Sequence, residues 1–165
     1  MEQKRYPAVY DNQARLITNI VLFAALIGLI VSLVEPSPGN ALPYSILFLF
    51  LPLAFLVWAL SPRYYAVTAN AVQIRRPFST VSLLFSDIVD IRSIESGELG
   101  FNFRLIASGG FFGYLGLYRS SKIGLIFMWC TNKDNLVLIT CESKAIVISP
   151  SDSAAFLLDY NQRSR

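Results

Sequence analysis

The chain contains no histidine and only two cysteines, and both scarcities remove chemistry. Without imidazole there is no Ser–His or Cys–His pair, no histidine general base and no histidine metal ligand. The segment TNKDN reads as a turn between the strands that carry Cys130 and Cys141. Opposing Thr131 with Asn135 puts Cys130 across from Leu136 and Cys141 across from Leu125, an offset that disulfide geometry does not tolerate. Free thiols suit a reducing compartment. Acidic residues are sparse too, with Asp87, Asp90, Glu95 and Glu98 as the one acidic cluster. Asp87 and Asp90 face opposite sides of an extended segment and make no carboxylate pair. No catalytic residue, cofactor or metal is expected, and the chain is read as not an enzyme. The basic residues are scattered and no recognition helix is evident, which sets nucleic acid aside as a partner.

Charge is missing altogether from two stretches. Residues 16–34 (LITNIVLFAALIGLIVSLV) and 42–60 (LPYSILFLFLPLAFLVWAL) carry none. Each is about long enough to cross a ~30 Å hydrocarbon core as a helix. The first is longer than the apolar run of a signal peptide, and EPSPGN offers no small-x-small cleavage site. The expected organisation is a cytoplasmic N-terminal tail (1–15), transmembrane helix 1 (16–34), an extracytoplasmic turn (35–41), transmembrane helix 2 (42–60) and a cytoplasmic domain (61–165). Lys4, Arg5 and Arg15 precede the first span, and Arg63, Arg75 and Arg76 follow the second. That bias predicts a multi-pass protein of the inner (cytoplasmic) membrane with both termini cytoplasmic. Neither span holds an ionisable residue, which argues against transport. Ala24, Gly28 and Ser32 form a small-xxx-small stripe suited to helix packing within the hairpin or between copies. Thr18 and Asn19 are expected to be hydrated, and Pro52 to kink the second span.

Beyond residue 60 the pattern alternates with period two. YYAVT and VQIRR flank a turn in which Asn70 can take positive φ. TVSLLF, IVDIRSI, FFGYLGLYR, IGLIFMWCT, NLVLITC and KAIVIS follow, separated by short polar breaks. Such short, evenly spaced strands predict an antiparallel sandwich or barrel. In SPSDSAAFLLDY, Ser149 can cap a terminal helix with Pro150 at its first position. Four glycines (Gly109, Gly110, Gly113, Gly116) crowd the segment ASGGFFGYLG. Their spacing matches no phosphate-loop motif and strand-forming residues follow, so a bulge or bend is the better reading.

The segment 104–156 resembles the bacterial pleckstrin-homology (PH) domain family, whose members often carry a membrane hairpin ahead of the domain. RLIASGGFFGYLGLY, Thr131 with NLVLI, VISP and Phe156 carry the likeness. It implies a mainly β, α+β fold: two transmembrane helices, then a PH-like seven-stranded antiparallel barrel capped by a C-terminal helix. It implies no reaction. Other PH domains hold phosphoinositides with cations around the first hairpin, but here that tip is TANA. The domain's excess of cations predicts diffuse attraction to an anionic leaflet, about 1 kcal/mol per cation close to the surface. Arg104, Arg119 and Lys122 flank the glycine segment and are the first candidates for a specific anion contact. The expected role is a non-catalytic binding or scaffold module anchored in the lipid bilayer. An accessory assembly subunit of a larger membrane complex is the alternative, with a membrane-bound enzyme or a lipid-headgroup receptor behind both. A homo-oligomer or a membrane-protein partner is left open.

Overall fold

The first element lies where only a tail was expected. A computed structural model describes residues 4–34, 42–100 and 102–164. In it Arg5–Pro7 forms strand β1, which pairs antiparallel with β2 (Tyr64–Val67) and sets Tyr6 opposite Tyr65. Ala8 N–H donates to the Arg63 carbonyl at 3.0 Å, extending the ladder. Helix α1 (Asn12–Val34) starts four residues before the expected span. The reason is local: the Asp11 carboxylate accepts from Ala14 N–H at 2.7 Å and so caps the helix. Helix α2 (Leu42–Leu60) runs through Pro52. Among the described residues one helix, over Asn12–Val31, is long and apolar enough to cross a membrane, and a shorter apolar helix covers Phe48–Leu60. The expected turn 35–41 lies outside the described residues, as does the Ser32 side chain, while Ala24 and Gly28 are exposed.

The strands form two sheets rather than one closed barrel. β1, β2, β3 (Ala71–Arg75) and β4 (Thr80–Leu84) make a four-stranded antiparallel sheet in chain order. The β2–β3 turn is closed by Thr68, whose N–H and hydroxyl both donate to the Ala71 carbonyl, and Asn70 does not take positive φ. A 3-10 turn over Phe85–Asp87 then carries the chain into the second sheet. That sheet comprises β5 (Ile88–Ile94), β6 (Asn102–Gly110), β7 (Gly113–Ser120), β8 (Gly124–Cys130), β9 (Leu136–Cys141) and β10 (Ala145–Ile148). Its order is β5-β9-β10-β8-β7-β6.

The antiparallel expectation fails at β10, which inserts between β8 and β9 and runs parallel to β8. All four of its residues are buried, as a strand covered on both faces requires. The insertion also corrects the cysteine pairing. Cys130 stands opposite Tyr114 and Cys141 opposite Ile88, with β10 between their strands. Both thiols are free and buried. Ser149 is no helix cap; its hydroxyl accepts from the N–H groups of Thr131 and Asn132 at 2.8 and 3.2 Å. Asp152 caps α3 (Ser153–Arg163) instead, accepting from Ala155 N–H at 2.9 Å.

Two cores result, one on each face of the six-stranded sheet. Tyr6, Tyr65, Ile74, Ile146 and Ile148 fill the space between the sheets, with Phe156 and Tyr160 of α3. On the other face Tyr114, Tyr118, Met128 and Val147 pack with Ala14 at the start of α1. Helix α1 thus starts within a core of the domain.

Buried tyrosines give a pH prediction. Tyr6 donates from its hydroxyl to the Ala155 carbonyl at 3.0 Å and faces the Asp159 carboxylate at 3.4 Å. Burial, then the Asp159 charge, push its pKa up to about 12, and burial pushes Tyr118 to about 12 as well. The fold favours the neutral phenol. This stabilisation is complete below the ordinary value near 10 and is lost as pH rises through 10 towards 12. The melting temperature should therefore fall over that window, and Tyr6→Phe should flatten the fall. Tyrosinate absorbance rising in a single step near pH 10, with unchanged melting, would contradict this.

Candidate functional site

The glycine segment is a hairpin tip seated against the helices. Strands β6 and β7 pair with Gly110 opposite Gly113, leaving Phe111 and Phe112 as the loop. The φ angles are 111° at Gly110, 52° at Phe112 and 107° at Gly113. Thr18 of α1 holds the tip: its hydroxyl accepts from Phe112 N–H at 2.9 Å and donates to the Gly110 carbonyl at 3.3 Å. Thr18 is therefore bonded to the hairpin rather than simply hydrated. Phe111 packs on Phe50 of α2, with centroids 6.2 Å apart. The Phe112 N–H is thereby already engaged by the protein. The expected bend is present as well. The β6–β7 register shifts between Arg104 and Ile106, and Gly116 follows immediately, opposite Ala107. A Cβ on Gly116 would run into the Ile106 carbonyl, so the glycine permits a close backbone approach.

The three candidate cations do not converge. The Arg104 guanidinium folds back over Gly109, which pairs with Tyr114. Arg119 pairs with Phe103 and Leu125, five positions along β7 from Tyr114. Lys122 donates to the Gly97 carbonyl at 3.2 Å. The acidic cluster is spent on local structure. Arg92 bridges Asp90 at 3.8 Å and Glu98 at 2.9 Å. Glu95 and Glu98 form a capping box around a 3-10 turn (Ser96–Leu99). The Glu95 N–H and the Arg92 guanidinium hold the Glu98 carboxyl below its usual range. Burial pushes the Cys130 and Cys141 thiols up, away from nucleophilic thiolate. Among the described residues no cluster of Cys, Asp and Glu has metal-binding geometry.

Two other cations do come together, where the helices meet the domain. Arg15 on α1 and Arg63 just after α2 line one open cavity of about 260 Å³ with Tyr10, Asn19, Trp58 and Phe112. The Arg63 guanidinium stacks on the Trp58 indole, 4.9 Å from its centroid. Arg63 N–H also donates to the Arg75 carbonyl at 2.8 Å, which ties the junction to the end of β3. Arg76 follows, lying 5.6 Å from the Trp129 centroid. Burial lowers its pKa, and the Nε atoms of Arg75 and Arg76 are buried with no hydrogen-bond partner among the described residues. None of these four arginines is ion-paired among the described residues. Phe78, in the β3–β4 turn, completes an aromatic cluster with Phe55 and Trp58 at 5.8 and 5.9 Å.

The family model described as a bacterial PH domain matches residues 63–164. The chain belongs to the bacterial PH-domain family. In this PH domain the match begins at Arg63, so Tyr6 and Ala14, which fill its two cores, lie outside it. No curated protein and no solved structure matches the chain.

In the sequence Arg15, Arg63, Arg75 and Arg76 set the expected orientation, and Arg63, Arg75 and Arg76 carry the expected diffuse attraction to an anionic leaflet; the meeting of Arg15 with Arg63 was missed. A usable signal existed. Residues that bound two consecutive antiparallel helices at the same end must return to one place, and Trp58 marks the end of the second helix.

Proposed function

We propose that this PH-domain protein is a membrane-anchored, non-catalytic binding module whose domain rests on the cytoplasmic face of the inner membrane. The observation that carries the reading is the junction. Below it stand apolar helices with outward side chains such as Phe23, Ile27, Phe48 and Leu49. At it stand Arg15 and Arg63, with Arg75 and Arg76 following at the end of β3, none of them ion-paired among the described residues, and the Trp58–Phe78 pair, the residue types that favour an anionic interface. Both termini lie on the cytoplasmic side in this reading, and the helices cross as a hairpin.

Cysteine accessibility tests it. The native cysteines are buried and give little background. In intact cells Lys4→Cys and Lys133→Cys should resist a membrane-impermeant maleimide, while Ser37→Cys should react. Labelling of Lys133→Cys from outside would overturn the orientation. The second reading, an accessory subunit of a larger membrane complex, draws on an apolar groove of about 530 Å³ between α2 and the β6–β7 hairpin, lined by Leu53, Val57, Ile106 and Phe111. Stoichiometric co-purification of a membrane protein would favour it.

A further inference from the structure

We infer that the junction cavity between Arg15 and Arg63 is a binding site for the phosphate of an anionic phospholipid. The chemistry is that of a phosphate ester, and three features of the cavity select it. Two guanidinium groups line it, and among the described residues no carboxylate does. Guanidinium presents a planar fork of donors that matches phosphate oxygens, and its charge persists at any physiological pH. The nearby Asp11 carboxylate is engaged by Ala14 N–H and by the Tyr114 hydroxyl. Arg63 is not a freely swinging charge, because its guanidinium lies over the Trp58 indole, 4.9 Å from the centroid. Asn19 adds an amide with no partner among the described residues. The cavity therefore offers a prearranged set of donors to an anion.

The surroundings select a lipid over a free anion. Leu16 and Ile20 directly follow Arg15 and Asn19 and are 60% and 58% exposed. A ligand with an acyl chain can cover these side chains while its phosphate meets the arginines; a soluble phosphate leaves them bare. Among the described residues Arg15 and Arg63 are the cations that line the cavity, so it reads phosphate and negative charge without the further cations an inositol phosphate would need. Its ligand class is thus the common anionic phospholipid, and it lies away from the TANA hairpin.

This inference rests on the membrane reading above, and the experiment separates the two. The full chain is purified in detergent, and its retained lipids are titrated by native mass spectrometry. The probes are phosphatidylglycerol and phosphatidylcholine with the same acyl chains. Phosphatidylglycerol should be held about tenfold more tightly than phosphatidylcholine, a preference that the double variant Arg15→Gln/Arg63→Gln should erase. Arg15→Lys/Arg63→Lys should keep part of the preference, since it keeps the charge and loses the fork. Arg119→Gln/Lys122→Gln should keep all of it. Inorganic phosphate at millimolar concentration should not displace the lipid. Equal retention of both lipids, or an unchanged preference in the double glutamine variant, would overturn the site. Displacement by inorganic phosphate, dependent on Arg15 and Arg63, would overturn the lipid as its source. Alkaline carbonate extraction of membranes answers the other question: wild type and variants should all stay in the pellet. Release of the wild type would overturn the membrane anchor, whatever the lipid titration gives.

Discussion

Gly116→Val should destabilise the protein by about 3 kcal/mol, the upper end of what a strained backbone position with a steric clash costs. Two effects add there. The φ of 119° is one that a β-branched residue rarely adopts. The new Cβ would also overlap the Ile106 carbonyl and lie 2.8 Å from Ala107 Cα, and backbone atoms of a paired strand cannot swing aside. Gly113→Val meets the same problem in milder form, with φ 107° and a Cβ 2.6 Å from the Cys130 carbonyl, and should cost roughly 1–3 kcal/mol. Gly97→Ala is the control: nothing lies within 4 Å of its Cβ position, and its effect should stay within about 0.5 kcal/mol. Thermal unfolding of the detergent-solubilised chain gives all three. Near-native melting of Gly116→Val, with nucleotide binding in the wild type that the variant loses, would restore the phosphate-loop reading.

The bend was legible because it needs only local information. Four glycines among strand-forming residues, without a phosphate motif, already describe a chain that must turn sharply or pass close to a neighbour. Strand positions were legible for a similar reason, since alternation and polar breaks act over a few residues. Strand order was not. The segment AIVI is a continuous apolar run without alternation, the signature of a strand buried on both faces, and it pointed to the middle of a sheet. Read as one more hairpin strand, it produced the barrel and the mistaken cysteine pairing. The helix cap slipped from Ser149 to Asp152 because both fit the local pattern, and only the end of β8 shows that the Ser149 hydroxyl is already bonded. The arginine junction is non-local too, as Arg15 and Arg63 meet only through the return of two helices.

The same non-locality makes the N-terminal strand the most consequential element that the sequence hid. A three-residue strand in a charged tail carries almost no pattern, yet Tyr6 is 2% exposed and meets Phe156 edge-on with centroids 5.2 Å apart. It also covers the edge of β2, where Tyr65 is fully buried. Ser151 N–H donates to the Pro7 carbonyl at 3.0 Å, so β1 joins β2 to the chain entering α3. Removing a buried aromatic side chain costs about 3–5 kcal/mol, against a total stability of about 5–15 kcal/mol for a domain. A fragment covering residues 61–165 loses that side chain, the edge pairing and the Pro7 contact together. It should show no cooperative unfolding transition, and its exposed β2 edge should drive aggregation. Restoring residues 4–11 ahead of residue 61 should recover folding. Tyr10 and Ser61 already share a hydrogen bond of 2.7 Å, so a Gly/Ser linker of about six residues, reaching roughly 20 Å, closes the gap. In the full chain Tyr6→Ala should lower stability by about 3 kcal/mol, and Tyr6→Phe, which keeps the ring against Phe156, by about 1 kcal/mol. Circular dichroism melting of the two fragments decides the matter. Equal, cooperative melting with and without residues 4–11 would show that the domain is complete from residue 61 and that β1 merely rests on its surface.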